Sequence, residues 1–209
     1  NEQDIVAEKM QNTRALDYPK DKFRVMWVTD GTTDNTNELL KAYPEVNLVF
    51  SPERKGKTAA LKHGLSEVKT ELVAFTDANT MINRGAMREI ARLFQDKTVG
   101  CVSGEKRVAS RNGEMSAEGE GLYWRYESTL KKWDSELYSA MGAAGELYAI
   151  RPELCREVPD NALLDDFMMS MLIVDEGHRI AYAPEAYALE YGSANLAEES
   201  KRKRRIAAG

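Results

Sequence analysis

The chain has 209 residues, a formal net charge of -5 and a pI near 5.3, and 43% of its residues are hydrophobic. This length and hydrophobic content allow one domain with a sizeable core and exclude a disordered chain. The acidic balance argues against a nucleic-acid surface over the whole domain, so no nucleic-acid partner is expected. The two cysteines, Cys101 and Cys155, form no Cys-x-x-Cys pair, which favours a reducing compartment.

Apolar periodicity predicts a first helix before residue 17 and then an alternation of strands and helices. Strands are predicted at residues 23–28, 46–50, 72–76, 99–104, 106–109, 147–150, 179–182 and 187–189. Helices are predicted at residues 35–42, 57–68, 83–94, from 118 onward, 163–174 and from 195 onward, with a turn at 111–113. Such alternation predicts an α/β fold, a three-layer α/β/α sandwich with a mostly parallel central sheet.

The long helix that begins at residue 118 carries an apolar stripe at steps of three and four. Its members are Leu122, Tyr126, Leu130, Trp133 and Leu137. A stripe of this kind is typical of a helix that packs one face against the core. We therefore expect these side chains to be buried.

The strand at 72–76 ends abruptly in oxygen-bearing side chains. Asp77 and Asn79 follow it directly, at the sheet edge where ligands bind in open α/β folds. On an extended segment, residues two apart point the same way, so the two side chains could share one hard divalent cation. The alternative is that they form a turn or cap the next helix, as Asp and Asn often do.

Two further acidic clusters occupy comparable places. Asp30 and Asp34 follow the strand at 23–28, and Asp165 and Asp166 stand at the start of a helix. Acids in a first helical turn are stabilised by the helix dipole, which is a purely structural explanation of the second pair. Adjacent carboxylates on a helix point in different directions, so one could be anchored while the other faces a cleft as a general base.

Four segments in this order carry a resemblance to a known family: Val28-Thr29-Asp30-Gly31-Thr32-Thr33-Asp34, Lys55-Gly56-Lys57-Thr58-Ala59-Ala60-Leu61, Thr76-Asp77-Ala78-Asn79 and Leu164-Asp165-Asp166. Through these four segments the chain resembles family 2 glycosyltransferases, which are inverting enzymes of the GT-A fold. The resemblance implies one domain over 1–209, with a nucleotide-sugar-binding half at about 1–104, an acceptor-binding half at about 105–194 and a basic C-terminal helix at about 195–209. It also implies that the family's first strand lies outside this fragment.

On the donor side, the resemblance makes Glu2, Asp30 and Gly31 contacts to the nucleoside and Lys57 a nearby cationic contact. Asp77 and Asn79 take the place of the family's Asp-x-Asp motif, which holds Mg²⁺ or Mn²⁺ against the donor diphosphate. The expected donor is a nucleotide-sugar, with a UDP-sugar as the first choice. Because a neutral amide oxygen binds a hard cation more weakly than a carboxylate, Asn79 predicts low metal affinity without nucleotide.

On the acceptor side, the resemblance makes Asp166 the general base that removes the proton from an acceptor hydroxyl. Gly145 and Glu146 belong to a glycine-containing loop at 142–146 that would lie beneath the acceptor, and Asp165 stands beside the base. A plain hinge is the alternative for this loop. The implied acceptor is a glycan or a lipid-linked hydroxyl.

The basic run at 201–205 falls where processive family members carry a Gln-x-x-Arg-Trp motif. Its aromatic residue is missing here, which argues against polymerisation, and the run is also typical of a solvated or membrane-facing segment. The resemblance implies membrane-spanning helices outside this fragment. The fragment itself would be soluble and would work at the cytoplasmic face of the inner membrane.

Two other functions stay open. A non-catalytic GT-A-like domain that binds nucleotide or glycan in a larger membrane assembly would tolerate Asn79 and the absent aromatic residue. A nucleotidyltransferase would share the layout but needs a Gly-rich loop with Arg and Lys after its first strand. An intact Asp166 favours the glycosyltransferase.

Overall fold

The structure is a computed structural model that describes residues 1–109, 118–156 and 164–191. Within these ranges the strands are β1 Val25–Asp30, β2 Val46–Ser51, β3 Val73–Thr76, β4 Thr80–Ile82, β5 Val99–Ala109, β6 Leu147–Ile150 and β7 Arg179–Tyr191. The helices are α1 Val6–Arg14, α2 Thr36–Leu40, α3 Lys57–Ser66, α4 Ala86–Leu93, α5 Glu118–Leu137 and α6 Asp165–Asp175. The predicted turn at 111–113, the helix from 195 onward and the basic run at 201–205 lie outside the described residues.

The strands form two sheets. β1 and β2 pair in parallel, from Val25 opposite Val46 to Asp30 opposite Ser51. The other five strands follow the order β3-β6-β5-β7-β4. In this sheet β5 and β7 pair in parallel, whereas the pairs β3–β6, β5–β6 and β4–β7 are antiparallel. The described sheet is therefore mixed, where the sequence predicts mostly parallel pairing, because β6 runs antiparallel to both of its neighbours, β3 and β5, and the edge strand β4 runs antiparallel to β7.

Helices cover both faces of the larger sheet, which confirms the three-layer sandwich. Alternate residues of β6 point to opposite faces, as a period of two requires. Leu147 and Ala149 pack with α4, while Tyr148 and Ile150 pack with α6. The two layers of buried apolar side chains hold the strand ends, and with them the polar residues that follow β3 and precede β6, at fixed positions.

The apolar stripe of α5 is exposed, so the prediction that it packs against the core is wrong for its described members. Tyr126 is 64% exposed, Trp133 is 62% exposed and Leu137 is 87% exposed, and Leu130 is exposed as well. α5 contacts β7 through serines, because Ser135 Oγ accepts a hydrogen bond from the Tyr182 N–H (2.9 Å). The faces of the sheet are already covered by α4 and α6, so the stripe faces outward. The side chain of Leu122 lies outside the described part of the structure.

Candidate functional site

A cleft of about 660 Å³ lies at the carboxyl end of β1. Its lining brings together residues that are far apart in the sequence: Asn1, Asp30, Gly31, Thr33, Arg54, Gly56 and Lys57. Three of the four residues predicted to contact a nucleoside or its phosphates, Asp30, Gly31 and Lys57, are therefore neighbours in the structure. Glu2, the fourth, is exposed and joins this region through its backbone N–H, which donates to Thr36 Oγ1 (2.8 Å).

Asp30 and Gly31 shape one wall of the cleft. The Asp30 carboxylate accepts hydrogen bonds from the backbone N–H groups of Lys55 (2.9 Å) and Gly56 (2.6 Å). Gly31 has φ +60°, and a Cβ built on it would lie 2.6 Å from Arg54 Cβ. Only glycine fits this left-handed position at such close approach. Asp30 and Gly31 thus line the cleft, and they also hold in place the loop at residues 54–56 that closes it.

The Lys57 ammonium joins two predicted functional regions. Lys57 begins α3, and its Nζ lies 3.7 Å from Asp77 Oδ1 and 3.9 Å from Asp165 Oδ1. Asp77 follows β3 and Asp165 begins α6, so one cation stands within reach of carboxylates from two other elements. A residue predicted to hold the donor, Asp77, and one predicted on the acceptor side, Asp165, therefore both lie next to Lys57.

Asp77 and Asn79 lie in the turn between β3 and β4, in which the Thr80 N–H donates to the Asp77 carbonyl (3.3 Å). Burial raises the pKa of Asp77, against the nearby charge of Lys57, which lowers it. Asn79 is exposed. Because residues 77–79 form a turn, the alternation of an extended strand does not apply to them, and joint metal binding by Asp77 and Asn79 stays a prediction.

The donor set around Asp77 suits a hard cation that brings part of its own coordination shell. Within the described ranges, no three His, Cys, Asp or Glu side chains are grouped so that they could hold a metal ion by themselves. Mg²⁺ is commonly bound by one or two protein oxygens together with substrate phosphates and water. One carboxylate with a neighbouring amide, beside a lysine that lines the cleft, fits that mode of binding.

Lys9 is a residue of this region that sequence reasoning missed. It is only 4% exposed, and its ammonium donates hydrogen bonds to Thr76 Oγ1 (3.1 Å), the Asp77 carbonyl (3.0 Å) and the Thr80 carbonyl (2.6 Å). Burial lowers its pKa to about 8, against the raising effect of the Asp77 charge. Its position in the sequence could have indicated that it is buried, since Lys9 falls on the same face of α1 as Val6, Met10 and Thr13.

Asp165 and Asp166 occupy the first turn of α6. The N-cap of this helix is Leu164, which has no side-chain cap. Asp165 is 5% exposed, and its Oδ2 is buried without a hydrogen-bond partner. Asp166 Oδ1 accepts from the Phe167 N–H (2.9 Å). Burial raises the pKa of Asp166, and the neighbouring Asp165 charge raises it further. This carboxylate therefore binds a proton more readily than an ordinary aspartate does.

The loop at 142–146 is in contact with α6 at several points. A Cβ built on Gly145 would lie 2.4 Å from Asp166 Oδ2, and one built on Gly142 would lie 2.4 Å from Phe167 Cδ2. The backbone N–H of Ala143 donates to Ser170 Oγ (3.0 Å). The loop thus packs directly against the first turns of α6, where the predicted base lies.

Glu146 takes part in a largely buried ion cluster. Lys106 Nζ contacts Glu146 Oε1 (2.5 Å) and also pairs with Glu190. The charges of Glu146 and Glu190 both raise the pKa of Asp77. Glu146, the last residue of the loop at 142–146, therefore lies close enough to the Asp77 turn for its charge to act on Asp77. Its predicted contact with an acceptor stays a prediction.

None of the helices in the described ranges is long and apolar enough to be a membrane-span candidate.

Comparisons with known proteins agree with this layout. The model of the family described as "Glycosyl transferase family 2" matches residues 1–158, more than half of the chain. A beta-monoglucosyldiacylglycerol synthase from Nostoc sp. is 28% identical over 153 residues, which are 70% of this chain and 32% of the relative. A poly-beta-1,6-N-acetyl-D-glucosamine synthase from Staphylococcus aureus is 24% identical over 193 residues, 89% of this chain and 46% of the relative. The chain thus spans less than half the length of these two relatives.

A solved structure is similar over nearly the whole chain. The mannosyltransferase PcManGT from Pyrobaculum calidifontis, in complex with GDP-Man and Mn²⁺, matches with a TM-score of 0.81 and 27% sequence identity. The match covers 98% of this chain and 58% of that one.

Proposed function

The chain belongs to glycosyl transferase family 2, and on that premise we propose that it is the catalytic domain of an inverting, metal-dependent glycosyltransferase. The predicted α/β class and GT-A fold are confirmed by the family match and by the similarity to PcManGT. The reaction would move a sugar from a nucleotide-diphosphate donor to a hydroxyl group of a glycan or a lipid-linked acceptor.

The observation that carries this proposal is the position of Lys57 Nζ within 4 Å of both Asp77 (3.7 Å) and Asp165 (3.9 Å). The first carboxylate lies beside Lys57, which lines the cleft together with Asp30 and Gly31. The second is adjacent in sequence to Asp166, whose pKa is raised. The groups proposed to bind the donor thus lie near the helix turn that carries the proposed base, which is the arrangement that a direct transfer between two bound substrates would need.

For the donor, Asp77, assisted by Asn79, would hold Mg²⁺ or Mn²⁺ against the diphosphate. The bound ion would supply positive charge that stabilises the departing nucleoside diphosphate. Asp30, Gly31 and Glu2 would border the nucleoside, and Lys57 would give a further cationic contact to the phosphates. PcManGT, whose solved complex contains GDP-Man and Mn²⁺, supports this arrangement by its similarity.

For the acceptor, Asp166 would accept the proton of a hydroxyl group as that oxygen attacks the anomeric carbon. The new bond forms between the acceptor oxygen and the anomeric carbon, while the bond from that carbon to the diphosphate oxygen breaks with its electron pair. A single displacement inverts the anomeric centre. Gly145 leaves room for the base, and Asp165 and Glu146 would complete the acceptor side.

The names of the relatives support a lipid or glycan acceptor, because one is a diacylglycerol glycoside synthase and another a polysaccharide synthase. We propose that the full-length protein acts at the cytoplasmic face of the inner membrane through segments outside residues 1–209. Recovery of the full-length protein in the membrane fraction is expected, and recovery in the soluble fraction would contradict this part of the proposal.

The test is a donor screen with the full-length protein. UDP-sugars and GDP-sugars are offered with a glycan or diacylglycerol acceptor, and sugar transfer and release of nucleoside diphosphate are measured in Mn²⁺ and in EDTA. Transfer that needs Mn²⁺ and gives an inverted product supports the proposal. Nucleotide binding without transfer from any donor would instead support the non-catalytic binding domain. A nucleotidyltransferase would release pyrophosphate from a nucleoside triphosphate.

A further inference from the structure

The Lys9 ammonium donates its hydrogen bonds to one short segment of the chain, residues 76–80. The acceptors of its hydrogen bonds are Thr76 Oγ1 and the carbonyls of Asp77 and Thr80, at 2.6 to 3.1 Å. An ammonium has three N–H donors, and these three acceptors match that number. All of them belong to the end of β3, the turn and the start of β4. Lys9 is therefore bonded to the backbone of the segment that presents Asp77 and Asn79.

Packing alone does not account for a lysine at this position. A buried ammonium loses its hydration, and the cost is recovered only through close polar partners. A methionine would occupy a similar volume on the buried face of α1 without that cost. It would leave the Thr80 carbonyl without the 2.6 Å donor that Lys9 supplies. The lysine is thus suited to fixing the turn and not merely to filling the space.

The N-terminal segment before α1, and α1 itself, are hydrogen-bonded to other parts of this region. Before the helix, Asn1 and Thr33 exchange two hydrogen bonds, each 2.9 Å long, at the rim of the cleft. Within it, the Asn12 side chain donates to the Ile82 carbonyl (2.8 Å) and accepts from the Ile82 N–H (2.9 Å). Residues 1–14, which include α1, therefore contact both the rim of the cleft and β4, and Lys9 adds a connection to the Asp77 turn.

We propose that Lys9 is a positioning residue for donor binding, which sets the orientation of the turn that carries Asp77 and Asn79. It acts through the backbone of the turn and does not touch the donor. This inference rests on the proposed metal-assisted binding of a nucleoside diphosphate by Asp77. Residues that orient metal ligands from behind typically change metal affinity by about 10-fold to 100-fold when they are replaced.

The experiment compares Lys9→Met with Asn12→Ala in the full-length protein. Asn12 is the matched control, because it fastens the same helix to β4 without bonding to residues 76–80. Binding of UDP and of GDP is measured by calorimetry in Mn²⁺ and in EDTA, and the thermal midpoint of each variant is recorded. Lys9→Met should weaken Mn²⁺-dependent binding by about tenfold or more, with little change in EDTA. Asn12→Ala should lower the thermal midpoint but leave unchanged the ratio of the nucleotide affinity in Mn²⁺ to that in EDTA.

The ratio of the affinities in Mn²⁺ and in EDTA is the measurement that a purely structural role would not change. An unchanged ratio in Lys9→Met, or the same change in both variants, would overturn the inference. If Lys9→Met does not fold, Lys9→Gln, which keeps a hydrogen-bond donor without the charge, is subjected to the same comparison and the same criterion. A wild-type protein that binds UDP and GDP equally with and without Mn²⁺ would overturn the proposed metal-assisted function, and this inference with it.

Discussion

Gly145 lies so close to Asp166 that a Cβ built on it would stand 2.4 Å from Asp166 Oδ2. The glycine and the carboxylate come from different elements, the loop after α5 and the first turn of α6. Real Cβ atoms essentially never approach an oxygen this closely, so the position of the Asp166 carboxylate depends on the absence of a side chain at 145. The conformation of the loop and the position of the Asp166 carboxylate are thus linked.

Gly145→Ala should therefore lower turnover by displacing the Asp166 carboxylate, with a smaller effect on donor affinity. A displacement of about 1 Å at a reacting group can cost on the order of 100-fold in rate. Sugar transfer and nucleotide binding are measured together. Gly85→Ala is the matched control, because a Cβ at 85 would meet nothing within 4 Å. Equal turnover of the two variants would show that the contact does not matter for the reaction.

Asp166→Asn should reduce turnover by about 10² to 10⁴, with donor affinity nearly unchanged, because an amide cannot accept the acceptor's proton. The shape and the hydrogen bond from the Phe167 N–H can both be kept by Asn Oδ1. Asp165→Asn serves as the comparison next to it, and Asp166→Ala tests the structural contribution through the thermal midpoint. Wild-type turnover in Asp166→Asn would remove the base assignment and favour the non-catalytic domain.

The pH dependence of activity and of stability should reflect the raised pKa of Asp166. Burial and the Asp165 charge raise this pKa, while Lys57 opposes them, so the acidic limb of kcat/KM should lie above the ordinary Asp value of about 3.9. In the interval between the ordinary and the raised pKa, the folded state binds more protons than the unfolded state. Wild-type stability should therefore fall as pH rises through this interval.

Asp166→Asn removes this titration, so it should be at least as stable as the wild type at neutral pH. Its advantage in the free energy of unfolding should vanish as pH falls below about 3.9, where the wild-type carboxyl is protonated in both states. Unfolding by urea at several pH values measures the difference. A gap between the two proteins that does not vary with pH would contradict the raised pKa.

Asp77→Ala should abolish the Mn²⁺-dependent part of nucleotide binding, because it removes the charged oxygen nearest to the proposed metal position. Asn79→Asp should tighten Mn²⁺ binding, since a charged oxygen replaces a neutral one. Calorimetry with UDP and GDP in Mn²⁺ and in EDTA measures both effects. No change in Asn79→Asp would mean that Asn79 does not contact the metal.

Much of the fold and the position of the site could be predicted from local sequence patterns. The predicted strand at 147–150 coincides with β6, and those at 46–50 and 72–76 differ from β2 and β3 by one residue at one end. Side-chain alternation and helical spacing are properties of neighbouring residues, so they can be read without knowledge of the fold. The sequence also contains polar clusters after two strands and at the start of a helix, which made Asp30, Asp77 and Asp166 candidates.

The direction of strand pairing, the burial of charged groups and the partner of each helix face depend on residues far apart in the chain. Only the tertiary structure therefore decided three features: the three-residue strand β4, the antiparallel pairing of β6 and the exposure of the apolar stripe of α5. Lys9 is the clearest case, since a lysine is ordinarily assigned to solvent. Its burial depends on three oxygen acceptors more than sixty positions later in the chain, which only the packing of α1 against the Asp77 turn brings within hydrogen-bonding distance.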